Sequence, residues 1–157
     1  MFPFLKKKPT ILNPVSGTLK KLEDVNDEAF SSRSMGDGFA VDPSSPFIYS
    51  PVKGTIQFIF PTKHALGIRS DSGLEILLHV GVDTVALNGE GFTLHVEENE
   101  KVKEGTRLLT VDLDLLKTKA SSKDVIVVFT GGETCQLLKC GEHLEALEKD
   151  FVIVSKT

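Results

Sequence analysis

Short apolar runs recur along this chain between clusters of Gly, Pro, Asn, Asp and Ser, and that spacing constrains the fold more than any other feature. Runs of this length are too short for ordinary helices, and the residues between them turn the chain, so the pattern predicts many strands joined by tight turns. Candidate strands lie at 18–22, 54–60, 64–69, 74–80, 108–111, 124–129 and 151–154. Helix is scarce. It is expected at 112–120, where Leu113, Leu115, Leu116 and Ala120 form one short apolar stripe, with a second turn near 143–147. The expected architecture is all-β: an antiparallel β-sandwich or flattened barrel with one or two short helices.

Two internal echoes bear on how the sheets close. Pro14-Val15-Ser16-Gly17-Thr18-Leu19 resembles Pro51-Val52-Lys53-Gly54-Thr55-Ile56, and Gly36-Asp37-Gly38-Phe39 resembles Gly89-Glu90-Gly91-Phe92, in the same order. Repetition of a strand unit predicts internal duplication, each half covering the apolar face that the other leaves open.

A chain of 157 residues buries one good core, so a single domain is expected over 11–157, preceded by a flexible basic segment, 1–10, that carries Lys6, Lys7 and Lys8. The formal charge of −4, with no basic stripe, argues against a nucleic-acid partner, which would need clustered cations to displace counterions. No stretch has the apolar length of a membrane span or the form of a signal peptide, so the protein is expected in the cytoplasm, meeting the membrane only through a partner. Cys135 and Cys140 make neither a disulfide framework nor a zinc-finger spacing and read as reduced.

The segment from His64 to Val85 reads as a hairpin whose loop is Ser70-Asp71-Ser72-Gly73. A four-residue loop sets Arg69 opposite Leu74 and hence His64 opposite His79, on one face and close enough for the imidazoles to meet on a shared, solvent-reachable patch. A three-residue loop with a bulge at Gly73 would slip the register by one and send the rings to opposite faces. Two facing imidazoles can bind a metal, work as acid and base, or carry a phosphoryl group on one ring. Thr62, two residues before His64, can fix a tautomer by hydrogen bonding, and Gly81 lets backbone amides approach an anion. His95 and His143 have no such arrangement and read as surface or structural residues.

Pro-Thr-Lys-His-Ala at 61–65, Ser-Asp-Ser-Gly at 70–73, Glu-Ile-Leu-Leu-His-Val-Gly-Val-Asp-Thr-Val at 75–85 and Leu-Asn-Gly-Glu-Gly-Phe at 87–92 together resemble the glucose-type enzyme IIA family of the bacterial phosphoenolpyruvate-dependent sugar phosphotransferase system. The resemblance implies a compact antiparallel β-sandwich that carries a phosphoryl group for sugar uptake. It implies that His79 accepts this group from the phosphohistidine of HPr, that His64 stabilises it and that Thr62 orients His64. Asp37 and Asp83 would face the basic side of HPr. The next acceptor would be a cysteine of the IIB domain of a membrane sugar permease (IIBC), on another chain. No cofactor is required for transfer between nitrogen atoms. Two other readings stay open: a protein that binds zinc weakly through His64 and His79, and a non-catalytic module that docks regulatory targets.

Overall fold

The computed structural model describes residues 9–156. Among these residues the strands are β1 (Gly17–Lys21), β2 (Asp37–Pro43), β3 (Phe47–Tyr49), β4 (Gly54–Ile59), β5 (Ala65–Ser70), β6 (Glu75–Val82), β7 (Phe92–Leu94), β8 (Lys101–Val102), β9 (Arg107–Val111), β10 (Ser122–Phe129), β11 (Thr134–Leu137), β12 (His143–Leu144) and β13 (Val152–Ser155). Among the described residues helix is confined to α1 (Glu28–Ser31), α2 (Leu113–Lys119) and two short 3-10 turns, Leu22–Asp24 and Val85–Leu87. All the strand pairings are antiparallel. None of these helices is long and apolar enough to cross a membrane.

Eight strands form one sheet in the order β12-β1-β2-β10-β6-β5-β4-β8, while β3-β9-β7 and β11-β13 form smaller sheets. The main core holds Phe39, Val41, Ile68, Leu78 and Val127 of the large sheet with Ile48, Leu109 and Val111 of the three-stranded sheet and Val154 of the pair. Alternation along β6 sends Ile76, Leu78 and Val80 into that core and leaves Glu75, Leu77 and His79 on the outer face. A second, smaller cluster covers this outer face: Leu22, Val25 and Phe30 lie over Ala40, Ile126, Val128 and Val82, with Leu77 at its margin. The middle strands β2 and β10 are therefore covered on both sides, which is why their sequences lack a clean two-residue period.

The first internal echo has a counterpart in three dimensions. Gly17 opens β1 and pairs with Leu144 of β12, Thr18 with His143; Gly54 opens β4 and pairs with Val102 of β8, Thr55 with Lys101. A Cβ at Gly17 would lie 2.1 Å from the Asp42 carbonyl oxygen, and one at Gly54 2.1 Å from that of Arg69, so both positions exclude a side chain by close backbone approach. Each half thus runs from a two-residue edge strand to the β10–β6 seam. The second echo does not follow this symmetry. Gly38-Phe39 lies in the middle of the large sheet, whereas Gly91-Phe92 leads into β7 of the small one.

The helix expected at 112–120 forms as α2, capped by the Asp112 carboxylate accepting from Leu115 N–H. The turn expected near 143–147 does not form a helix. Leu144 is buried and His143 exposed in β12, a period of two that pairing with β1 exploits. The flexible segment expected at 1–10 lies outside the described residues except for Pro9 and Thr10.

Candidate functional site

His79 sits on β6 with Ile126 of β10 opposite it on one side and Ala65 of β5 on the other. That last pairing corrects the expected register. Arg69 faces Glu75, not Leu74, and the loop is the three residues Asp71 to Gly73, closed by Ser70 N–H to Leu74 C=O at 2.9 Å with Gly73 at φ 93°. Under strand alternation alone, this slip would part the two histidines.

They meet nonetheless, because His64 is not a strand residue. Phe60 N–H bonds the Ala65 carbonyl at 2.9 Å and closes a loop of Pro61, Thr62, Lys63 and His64 between β4 and β5. Lys63 takes a left-handed φ of 62°, and in the bend that follows alternation no longer dictates where the His64 side chain goes. Its ring comes to 4.8 Å from the His79 ring, centroid to centroid, edge to face at 82°. The backbone of His64 still accepts from Val80 N–H at 2.8 Å, fixing its height along β6.

The Thr62 hydroxyl, in the same loop, is 2.7 Å from Nδ1 of His64, which leaves Nε2 of that ring for other partners. The expectation that both rings reach solvent holds for only one. His79 is half-buried, while His64 is 3% exposed, covered by the Phe60 ring at 5.4 Å. Phe60 is itself 40% exposed, so the cover is one side chain thick.

Sequence reasoning missed the aromatic walls and one acid. Phe58, Phe60, His64, His79 and Phe30 form a row of rings with successive centroids 5.7, 5.4, 4.8 and 4.8 Å apart. Phe58 fits because Gly67 faces it across the sheet; a Cβ there would lie 2.2 Å from the ring. Phe30 comes from α1, whose N-cap is Asp27. Asp27 before Glu28-Ala29 is a legible cap signal, but nothing in the sequence says that this turn folds over His79.

Burial and the neighbouring His64 imidazole push His79 down to about 4, against the Gly81 backbone and the Asp27 carboxylate, which favour a proton there. Burial also lowers His64, partly offset by hydrogen bonding to Thr62. Both rings are thus held neutral at physiological pH, the state in which a ring nitrogen has a lone pair to offer. Nδ1 of His79 is buried without a hydrogen bond of normal geometry.

Gly81 follows at φ 78°, and a Cβ there would lie 2.5 Å from Thr84 Cγ2 and 2.8 Å from the Ser122 carbonyl oxygen. Thr84 ties this turn to β6 by donating to the Val80 carbonyl at 2.6 Å. Asp83 is exposed, left-handed at φ 63°, and accepts from the Ser121 hydroxyl. Asp37 is engaged elsewhere: its carboxylate accepts from Gly38 N–H (2.9 Å), Arg33 Nε (3.0 Å) and Cys135 N–H (2.9 Å). Partial burial raises this carboxyl, but the Cys135, Arg33 and Gly38 donors outweigh it and hold the group below the usual range. The acid that acts on His79 is Asp27.

Among the described residues no group of three or more His, Cys, Asp or Glu side chains is arranged to hold a metal. His64 and His79 offer two nitrogens, short of the four ligands of a closed zinc site. Cys135 and Cys140 are free, and burial pushes the Cys135 thiol up to about 12, which makes it inert.

The chain matches the model of the phosphoenolpyruvate-dependent sugar phosphotransferase system EIIA 1 family over residues 9–135. Its structure is similar to that of glucose permease IIA from Mycoplasma capricolum, with a TM-score of 0.88 and 40% sequence identity, covering 96% of this chain and 99% of that one. The chain therefore belongs to this EIIA family, as a phosphoryl carrier that works through histidine in sugar uptake.

Proposed function

We propose that His79 is the residue that accepts the phosphoryl group, taking it from phosphohistidine of HPr and passing it to a cysteine on the IIB domain of a membrane permease, in the cytoplasm. The observation that carries this reading is the contact of the two imidazoles at 4.8 Å, with Thr62 holding Nδ1 of the second ring. Since Nδ1 of His79 is buried, Nε2 attacks phosphorus in line, and the donor nitrogen leaves with the electron pair of the broken N–P bond. Transfer between two such nitrogens needs positioning and charge stabilisation more than covalent assistance, so no cofactor is required.

His64 supports the transferred group. With Thr62 donating to Nδ1, its Nε2–H donates to a phosphoryl oxygen, while amides of the Gly81 turn share the charge. Asp83, exposed beside that turn, meets the basic face of HPr. Asp37 has its carboxylate occupied by three donors and contributes through Arg33. Zinc would bind at His64 and His79 only with ligands from a partner protein, a regulatory complex rather than a resident metal.

Incubation with radiolabelled phospho-HPr tests the assignment. His79→Gln acquires no acid-labile phosphate; His64→Gln acquires it but fails to pass it on to IIB. Label on His79→Gln refutes the reading, and an unlabelled wild-type chain would favour the non-catalytic docking module.

A further inference from the structure

Two of the groups around His79, the Phe30 ring and the Asp27 carboxylate, come from α1, a helix of four residues, and from its N-cap. So short a helix has no stability of its own. One anchor is the burial of Phe30 in the outer cluster. The other is Arg33, just past the helix C-terminus, whose Nε donates to Asp37 at 3.0 Å and whose Nη1 lies 3.7 Å from the Glu23 carboxylate. Asp37 is immobilised in turn by N–H groups of Gly38 and of Cys135 in β11. A continuous run of bonds therefore ties the far end of α1 to the sheet.

Arg33 also stands at φ 60°, the left-handed position that ends many helices and that glycine fills without strain. An arginine there carries a backbone penalty that glycine would not, and observed strain of this kind points to a use for the side chain. The use visible in the structure is its contact with Asp37 and Glu23.

We propose that the Arg33–Asp37 ion pair is a latch that keeps α1 closed over His79, making Arg33 and Asp37 positioning residues that act on the imidazole through Phe30. Its consequence for transfer rests on the assignment of His79 as acceptor. With the latch closed, Phe30 fixes the plane of the ring, and an attacking nitrogen must be held near its line of approach to react well. With it open, α1 frays and the ring gains freedom.

Arg33→Gly separates positioning from stability, because it removes the guanidinium and the backbone strain together. Three quantities are measured on the whole chain: the thermal midpoint, the nuclear Overhauser contact between Phe30 and His79, and the rate of phosphate uptake from phospho-HPr across donor concentrations. Arg33→Gly keeps or raises the midpoint, weakens the Phe30–His79 contact, and slows uptake at saturating donor by about two- to fivefold, the ratio an exposed ion pair commands. Arg33→Lys, which retains a cation able to reach Asp37, restores the contact and the rate. An Arg33→Gly chain with an undiminished contact, or one whose midpoint falls in step with it, overturns the latch. If the contact weakens as expected but wild-type His79 takes no label, the latch stands and the acceptor assignment fails.

Discussion

Acidification should destabilise this protein through His79 in a window set by the imidazole. The unfolded chain protonates this ring near 6.5, whereas burial among Phe30 and His64 delays protonation in the folded chain to about 4. Between these values the unfolded state binds the extra proton, so stability rises with pH. The contribution is present in full above pH 6.5 and is lost as pH falls towards 4; below that both states are protonated and the slope ends. At about 1.4 kcal/mol per tenfold in proton affinity the interval corresponds to about 3 kcal/mol, reduced to about 2–3 by the partial exposure of the ring. A domain of this kind has about 5–15 kcal/mol in total. With no Trp and one Tyr in the sequence, far-ultraviolet circular dichroism is the suitable signal for urea unfolding. Wild type and His79→Gln are compared from pH 7.5 to 4, which cancels the carboxylates and most of the His64 contribution. The wild-type curve should lose about 2–3 kcal/mol relative to the variant, a midpoint difference of about 1–2 M urea. A difference that stays flat, or grows in favour of wild type on acidification, would sink the claim that folding holds this imidazole neutral.

Thr62→Val keeps the shape of the side chain but leaves Nδ1 of a buried ring unpaired, so onward transfer to IIB should fall about 5- to 30-fold, and stability by about 1–2 kcal/mol, with uptake on His79 nearly unchanged. Quenched-flow labelling separates the two half-reactions, and equal loss in both would contradict the assigned role. Gly38→Ala and Gly67→Ala should differ sharply in urea melts. The first drives a Cβ to 2.0 Å from the Val127 carbonyl oxygen and should cost more than about 3 kcal/mol; the second meets only the movable Phe58 ring at 2.2 Å and should cost about 1–2 kcal/mol. Similar losses would mean that the Phe58 ring is as fixed as the backbone.

The all-β class, the α2 helix with its Asp112 cap and the duplicated strand openings at Gly17 and Gly54 were legible in the sequence because each depends on local chemistry: apolar runs of strand length, a capping carboxylate, a glycine where backbones crowd. The same was true of the chemical candidates. His64, His79 and Thr62 were identifiable by residue type and spacing, and Thr62 does reach His64.

What the tertiary structure decided was how those residues meet. The hairpin register differs by one from the expected pairing, and the histidines converge only because a left-handed Lys63 and the loop beside it take His64 out of the strand. Loop backbone of that kind follows from no periodicity. The covering of His79 by Phe30, the approach of Asp27 and the bond from Cys135 N–H to Asp37 join segments far apart in the chain, whereas Arg33 reaches Asp37 from only four residues away. A sequence records which groups are available within a few residues of one another. Long-range contacts depend on the closing of the whole sheet, and so only the fold could show which acid serves the imidazole and which one holds the turn above it.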